Sequence, residues 1–535
     1  MTGLEDAFDR IGSAAEDLLP RTHAPGLALA VTDGDATLGA VVRGFADVGA
    51  GRPVRAETRF QIGSISKSFA ALCVLQEEAK GRLALDVSVN ELLPWLELPE
   101  PFGPITLHHL LTHTSGLTEG VQHAPWGIVD ALRARAYPPT IPPGERYFYS
   151  NLGYKLVGHA LERVTDSPVN ELLHERILGP LGMTRSVGAT LEEDRADAAV
   201  GYEPLLSDRP AHLQSRLAPA LWQVSNTADG SIVSTVGDLC AYGRMVLARG
   251  GDLLDGTAFD RWIGPYVDAE DAGARYGYGW NVFDGAGGRV IRHTGGTLGF
   301  NAYLAIHPGE GLAVAICLNG SGDRKSLGTF AAVAVAAALR GDGVPDAARE
   351  EPRDRIADAD AIAGRFVAGD RSLELEPVDD GLMLRSGPVA VRLERWPDEP
   401  DTFAVPHPGF DRFLLRVERA DGRPSALTHG PDRYEREGAT AFAGLGHDPA
   451  WDAYPGLYRA DGPWNAALRV YLRGGRLWCT WPSDGEELEL TPVGDGWFAV
   501  GDPVLPRRCR FADEVGGLAQ SIEYDGAVLS RSFDG

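Results

Sequence analysis

The chain is short of lysine and of basic charge in general. Of its 50 Lys and Arg residues only four are lysines, at positions 67, 80, 155 and 325, so a solvated basic position would ordinarily be arginine. Asp and Glu together number 75, and the formal net charge at pH 7 is -25. Because no basic surplus is left to neutralise phosphate, the composition argues against a nucleic-acid partner.

Long apolar runs, paired cysteines and targeting signals are also missing. The run FAAVAVAAAL is too short to cross a bilayer, and the acidic start MTGLEDAFDR lacks the basic and apolar regions of a signal peptide. The cysteines are odd in number and lack metal-ligand spacing: Cys73, Cys240, Cys317, Cys479 and Cys509. We therefore expect buried free thiols, no membrane association and a reducing, cytoplasmic location.

Sequence motifs typical of α/β-hydrolases, nucleotide-binding proteins and zinc enzymes are absent. The sequence has no Gly-x-Ser-x-Gly elbow and no Walker or dinucleotide-binding glycine pattern, and HERIL at 174–178 lacks the second histidine of a zinc helix. The other histidines are not in metal-ligand spacing either. We therefore expect an activity that needs neither a metal nor a cofactor.

The pattern of apolar residues divides the chain into a mixed first part and an all-β second part. Helical periodicity at the N-terminus is followed by two apolar strands, GLALAVTDG and ATLGAVVRGFADV, and strands return after a mainly helical stretch from Ser64 to about Leu247. The economical packing is one antiparallel sheet built from both ends of residues 1–342, beside a helical lobe. A cleft between sheet and lobe is the expected place for a site.

After residue 342 the composition changes. Residues 343–357 are rich in Pro, Gly and charge and indicate a linker. Short alternating strands follow, with a weak repeat that begins GRF at Gly364 and GLY at Gly456. The repeat predicts two small antiparallel β-barrels, at 358–445 and 450–535.

The stretch FQIGSISKSFA holds the first candidate for chemistry. Ser64 and Lys67 stand three residues apart, so a helix beginning here would place them on one face. The ordinary alternative is that Ser64 only caps the helix. Since Ser-x-x-Lys is a weak motif by itself, the hypothesis needs partners elsewhere in the chain.

Two further stretches supply them. Tyr149 and Asn151 stand in YFYSNLGYKLVGHALE, and His293 opens HTGG at the end of a strand, followed by Thr294, Gly295 and Gly296. Taken alone, the first is explained as a helix start capped by Ser150 or Asn151, and the second as a polar strand end with a glycine turn.

Together the three stretches fit acyl transfer to serine. A serine hydroxyl needs a base, and a lysine can serve when burial or a nearby cation depresses its pKa. A tyrosine between cationic groups could be pushed toward phenolate and relay the proton. A backbone N–H at a glycine-rich strand end could join the nucleophile's own N–H as an oxyanion hole.

SISK, YSN and HTG, in this order, resemble the signatures of the serine β-lactamase and penicillin-binding protein family. ITLHHLLTHTSGL, GSIVSTVGDLCAYGRMVL and YGYGW agree with its class C-like branch, and the resemblance covers about residues 5–340. It implies an α/β catalytic domain in which an antiparallel sheet is flanked by helices and joined to a helical lobe.

The resemblance also implies roles. Ser64 would be the acylated nucleophile, Lys67 its proton acceptor and Tyr149 the general base and acid. Asn151 would bind substrate and orient Lys67, and the N–H groups of Ser64 and Gly296 would form the oxyanion hole. His113 lies in a loop that recurs in the family without chemistry, so we expect a structural role for it.

A catalytic domain followed by two barrels is similar in architecture to the bacterial D-aminopeptidases, in which a loop of the last barrel enters the active site. The candidate loop here is WPSDGEELEL, with Asp484, Glu486 and Glu487 available to a substrate ammonium. The alternative is a solvated acidic hairpin tip.

The sequence thus predicts a cofactor-free serine hydrolase that cleaves small amides or peptides, with a D-residue before the scissile bond. His293 stands where many members have lysine and would anchor a substrate carboxylate less well. Alternatives are an esterase or acyl transferase with the same residues, a D,D-peptidase, or a penicillin sensor without turnover. A small-molecule or peptide substrate and a homodimer are the expected partners.

Overall fold

The computed structural model shows two compact units, and it describes residues 3–120, 127–285, 287–348, 351–397, 399–439, 444–460, 462, 464 and 466–532. The first unit comprises Met1–Glu203, Ala218–Ala348 and Val504–Pro506, and the second comprises Pro204–Leu217, Arg349–Pro503 and Arg507–Gly535. Both predicted barrels lie in the second unit, which also takes in residues 204–217.

One antiparallel sheet forms the frame of the first unit. Its nine strands within the described residues run, in spatial order, Arg52–Pro53, Thr37–Asp47, Gly26–Thr32, Leu312–Leu318, Phe300–His307, Gly288–Thr297, Asn281–Gly285, Ala274–Tyr276 and Val267–Asp268. Strands from the two ends of the unit meet at the centre, where Gly26–Thr32 pairs with Leu312–Leu318. The predicted sheet made from both ends is confirmed.

Helices cover both faces of this sheet, which explains why its central strands are continuous apolar runs. Every residue of Gly26–Thr32 and of Leu312–Leu318 is buried. Gly3–Leu18 and Arg324–Arg340 pack on one face, and Val236–Leu247 packs on the other. A strand covered on both faces gains nothing from alternating polar and apolar side chains.

The helical lobe contains the remaining helices of the first unit: Ser66–Ala79, Val89–Leu92, Leu107–Leu111, Ile128–Arg133, Asn151–Thr165, Val169–Leu173 and Gly256–Trp262. Two short ladders accompany them, Phe60–Gln61 with Val233–Ser234 and Tyr202–Pro204 with Leu217–Pro219. Ser66–Ala79 is the central helix of the lobe, since eleven of its residues are buried.

The second unit contains two barrel-like sheets with separate apolar cores. In the described residues the first sheet has nine strands, in the order Val389–Arg392, Gly381–Ser386, Arg371–Val378, Gly364–Ala368, Asp432–Arg436, Arg423–His429, Leu415–Ala420, Thr402–Ala404 and Glu394–Arg395. Its two edge strands are consecutive along the chain, so the barrel is nearly closed.

The second sheet closes completely. Its eight strands are Gly456–Arg459, Ala467–Arg473, Arg476–Thr480, Glu487–Gly494, Trp497–Val500, Arg508–Val515, Leu518–Tyr524 and Ala527–Ser532. The prediction of two antiparallel barrels is therefore confirmed. The first of them stays open between its two edge strands.

All five cysteines are buried free thiols, as predicted. Within the described chain, no helix combines the length and apolarity that a membrane span requires. The described residues also contain no group of three or more His, Cys, Asp or Glu side chains arranged to hold a metal ion.

A buried ion pair in the second unit involves one of the acids that the sequence offered as a ligand group. Glu487 accepts from Arg473 at 2.9 Å, and Arg416 lies 3.5 Å from the same carboxylate. The side chains of Arg473 and Glu487 are 10% and 9% exposed. Removing one partner of such a pair leaves a buried charge without its counter-ion.

We predict that Glu487→Ala destabilises the second unit by about 3 kcal/mol, measured as a shift of its unfolding transition in calorimetry. Glu486→Ala is the matched control, because this neighbouring acid is exposed and its loss should leave the transition nearly in place. Equal transitions for the two variants would contradict a structural role for Glu487.

Candidate active site

Ser64 does not cap the helix that follows it. It lies in the 3₁₀ turn Gly63–Ile65, and the helix Ser66–Ala79 begins without a side-chain cap. Its Oγ instead accepts a hydrogen bond from Tyr149 Oη at 2.8 Å and lies 3.0 Å from Lys67 Nζ, which donates to it while the lysine is charged. The capping alternative is therefore wrong, because the hydroxyl is already committed to two side chains.

Lys67 is wholly buried, with an exposed fraction of 0%. Its Nζ contacts Ser64, Asn151 Oδ1 at 2.7 Å and the backbone carbonyl of Asp229 at 2.8 Å. Burial lowers the pKa of Lys67 to about 7; the negative charge of Asp229 opposes this shift and the positive charge of Lys155 adds to it. The amine can therefore lose its proton near neutral pH.

The three partners of Lys67 fit a neutral amine. A neutral lysine has two N–H donors and one lone pair, and the oxygens of Asn151 and Asp229 can only accept. Once Lys67 is neutral, those two oxygens can take both N–H groups, and the lone pair is then left for the hydroxyl of Ser64, 3.0 Å away. This arrangement is compatible with proton transfer from that hydroxyl to the neutral amine.

Tyr149 is held from two sides. Its ring lies against His113, with centroids 4.3 Å apart, and Lys67 Nζ lies 4.9 Å from its centroid. The sequence argument expected the phenol to be pushed toward phenolate, and this is wrong. Burial raises the pKa of Tyr149 well above its usual value, and the charge of Glu270 is among those that raise it further. The phenol stays protonated and donates to Ser64.

Two residues of the YSN stretch have different roles: Ser150 caps a helix, and Asn151 contacts Lys67. Ser150 caps the helix Asn151–Thr165, accepting from the N–H of Gly153 at 3.0 Å while donating to the carbonyl of Thr118 at 2.7 Å. Asn151 is therefore fixed as the first helical residue, with its amide oxygen on Lys67. Both the ordinary capping interpretation and the placement beside Lys67 are confirmed geometrically.

His293 is part of a neutral hydrogen-bond chain. Burial lowers its pKa to about 3, and the charge of Lys67 lowers it further. His113 Nδ1 accepts from the N–H of Ser150 at 3.0 Å, so its Nε2–H donates to Tyr276 Oη at 3.2 Å. Tyr276 in turn donates to His293 Nε2 at 3.0 Å, and His293 Nδ1–H donates to the Thr294 carbonyl at 2.6 Å. Both ring nitrogens of His293 are engaged in hydrogen bonds, and the ring is neutral at physiological pH.

The glycines after Thr294 allow two backbones to meet. A Cβ on Gly295 would lie 1.8 Å from the carbonyl oxygen of Ile62, whereas a Cβ on Gly296 would have no atom within 4 Å. Gly295 therefore permits the approach of the strand Gly288–Thr297 to the turn that carries Ser64. Gly296 lies on the cavity side of that approach.

A cavity of about 310 Å³ opens over Ser64. Its lining includes the predicted Tyr149, His293, Thr294 and Gly296, and five residues that the sequence argument missed: Tyr147, Glu270, Asp271, Asn281 and Lys325. One signal was available, because lysine is rare in this chain. Lys325 lines the cavity, and Lys155 is buried in an ion pair with Asp130.

The acidic loop lies in the second unit. Glu487 opens the strand Glu487–Gly494 and pairs with Arg473, and the N–H of Asp484 closes a turn on the Trp481 carbonyl at 3.1 Å. A contact of Asp484, Glu486 or Glu487 with substrate stays a prediction.

The sequence and the fold are similar to those of known proteins. A family model described as Beta-lactamase matches residues 8–338. The chain is 30% identical over 551 aligned residues to a D-aminopeptidase of Cereibacter sphaeroides (strain KD131 / KCTC 12085), covering 98% of this chain and 96% of that one. It is 29% identical to penicillin-binding protein 4 of Amycolatopsis lactamdurans over 56% of this chain and 81% of the relative.

Among solved structures, the octameric penicillin-binding protein homologue from Pyrococcus abyssi matches with a TM-score of 0.57 and 26% identity. The match covers 81% of this chain and 98% of that one. The likeness therefore extends beyond the first unit.

We predict that hydrolytic kcat/KM rises with pH through about 7, the pKa of Lys67. Below that pH the ammonium has no lone pair and cannot accept the hydroxyl proton, so activity is lost as pH falls. Lys67→Arg, which stays charged, should lose about 10²–10⁴-fold above pH 7 and should show no rise of activity through that pH. Lys80→Arg, at a surface position, is the matched control. A flat profile across pH 7 would contradict the assignment of Lys67.

A second prediction separates the two neighbouring glycines. Gly295→Ala should destabilise the first unit by about 3 kcal/mol, because its methyl group meets a backbone carbonyl that cannot rotate away. Gly296→Ala places the same methyl group in open space and should leave the denaturation midpoint almost unchanged. Equal midpoints for the two variants would show that the strand and the serine turn do not approach this closely.

Proposed function

Because the chain belongs to the beta-lactamase family, whose members attack with an active-site serine, we propose that it is an amidase of D-aminopeptidase type. It forms an acyl-enzyme on Ser64 and releases a D-residue that carries a free amino group from small amides or peptides. The observation that carries this proposal is the set of contacts around Lys67: Asn151 Oδ1 and the Asp229 carbonyl can accept both N–H groups of the neutral amine, which leaves its lone pair for Ser64 Oγ, 3.0 Å away.

Acylation begins when neutral Lys67 takes the proton of Ser64 Oγ. The oxygen attacks the substrate carbonyl carbon, and the N–H groups of Ser64 and Gly296 hold the oxyanion. Tyr149, which remains protonated, donates its proton to the leaving nitrogen as the C–N bond breaks. The ammonium of Lys67 then returns a proton to the phenolate oxygen of Tyr149, so that both groups regain their starting states.

Deacylation repeats these steps with water in the place of the serine. Lys67 accepts the water proton, hydroxide attacks the ester carbonyl, and Ser64 Oγ leaves with a proton from Tyr149. Every proton that is taken up is returned, so the cycle needs no cofactor. Asn151 keeps Lys67 in position throughout.

Two observations support a substrate with an amino group rather than a carboxylate near His293. A neutral histidine with both nitrogens engaged offers no fixed cation to a carboxylate. The D-aminopeptidase of Cereibacter sphaeroides aligns over nearly the whole length of both chains, both barrels included.

We also propose a reducing, cytoplasmic compartment, which five buried free thiols support. The homodimer stays a prediction. The octamer named above is a property of the Pyrococcus abyssi protein.

We predict that D-alanine p-nitroanilide is hydrolysed faster than its L-isomer, and that intact-mass analysis detects a transient adduct on Ser64. Ser64→Ala should lose both the turnover and the adduct. Turnover of p-nitrophenyl esters without any anilide would replace the amidase with an esterase. A long-lived adduct on every substrate would indicate a sensor.

A further inference from the structure

Two neighbouring acids stand in the wall of the cavity over Ser64. Glu270 and Asp271 lie in the turn between the strands Val267–Asp268 and Ala274–Tyr276. Backbone bonds close this turn: the N–H of Ala269 donates to the Ala274 carbonyl at 3.0 Å, and the N–H of Ala274 donates to the Asp271 carbonyl at 2.9 Å. The turn therefore holds both acids at a fixed place on the cavity rim.

Asp271 binds the cations of this region. Its carboxylate accepts from Lys325 Nζ at 2.9 and 3.1 Å and from Arg292 Nη2 at 3.1 Å. Arg292 is itself held against the ring of Phe283, 4.1 Å from its centroid. Burial would raise the pKa of Asp271, but the bonds from Lys325 and Arg292 outweigh it and hold that pKa below its usual value. Lys325 thus lines the cavity with its charge partly offset by Asp271, which weakens its attraction for an anionic ligand.

Glu270 adds negative potential where the reaction takes place. Burial is the main reason that Tyr147 and Tyr149 have raised pKa values, and the charge of Glu270 raises both further. An influence on both phenols requires the carboxylate to lie within electrostatic reach of them. A cationic group on the substrate would offset this charge.

We propose that Glu270 binds the free ammonium of the substrate, while Asp271 restrains Lys325 and Arg292 so that a substrate carboxylate is not attracted. Both residues belong to the first unit and together select the charge of the substrate. Glu270 attracts the ammonium, and Asp271 weakens the attraction of a carboxylate to Lys325 and Arg292. This inference rests on the proposed amidase function and assigns its substrate-selecting residues.

The test compares D-alanine p-nitroanilide with N-acetyl-D-alanine p-nitroanilide, in which a neutral acetamide replaces the ammonium. The ratio of their kcat/KM values should fall about fivefold in Glu270→Gln, mainly through KM of the free amine, as expected for a partly exposed ion pair. Raising the salt concentration should weaken the preference in the wild type but not in this variant.

Asp268→Asn is the matched control. It removes one negative charge from the adjoining strand, where the side chain is 93% exposed and Asp268 does not line the cavity. Its ratio should equal that of the wild type. All variants are first compared by thermal unfolding, so that a folding defect is recognised.

Asp271→Asn supplies a gain-of-function arm. A neutral amide releases Lys325, so N-acetyl-D-alanine, a carboxylate without an ammonium, should inhibit this variant with a Ki about fivefold lower than in the wild type. An unchanged Ki would overturn the restraining role of Asp271.

The amidase activity and the role of Glu270 can be overturned separately. A wild type that cleaves neither anilide overturns the amidase proposal and this inference with it. A wild type that prefers the free amine, together with a Glu270→Gln variant that keeps the whole preference, overturns this inference alone.

Discussion

The burial of the Lys67 ammonium is the interaction on which the rest of the site depends. A charged group taken out of water must either be paired or give up its charge. Here the neighbours are carbonyl oxygens, a hydroxyl and aromatic rings, and the positive charge of Lys155 lies near enough to oppose a second one. The lysine can therefore lose its proton near neutral pH, and in the proposed function it is the base that activates Ser64 without a histidine.

The fold provides that burial by bringing together three parts of the chain. The central helix of the lobe carries Lys67, a second helix carries Asn151, and the strand Gly288–Thr297 approaches the serine turn at Gly295. The chain through His113, Tyr276 and His293 fills the space beneath them with neutral groups. These groups satisfy each other's hydrogen bonds and add no charge beside the lysine. The charges of Asp229 and Glu119 raise the pKa of Lys67, but burial lowers it by more.

The position of His293 explains how the same geometry can serve different substrates. A permanent cation there would attract a carboxylate, whereas a neutral ring leaves the choice to the cavity wall. In this chain the wall holds acids on a tight turn, and its lysine is bound by one of them. In the proposed function, separate residues therefore set the nucleophile chemistry and the substrate charge, and they can change independently.

Much of this was accessible from the sequence, because it depends on local order. Apolar runs at both ends of the first unit predicted one sheet made of strands from both ends. Ser64, Lys67 and Tyr149 stand in recognisable short motifs. The rarity of lysine was a usable signal for Lys67, and it applied equally to Lys155 and Lys325. The same signal, applied to all four lysines, would have pointed to Lys155 and Lys325 as well.

What the sequence determined by itself is the set of elements and the nucleophile's motif, because helical period, strand pattern and i, i+3 spacing are properties of neighbouring residues. Only the tertiary structure decided the protonation of Tyr149 and His293 and the partners of Asp271. These depend on how deeply a group is buried and on charges brought near from distant parts of the chain. Burial and distance through space have no signature in local sequence order.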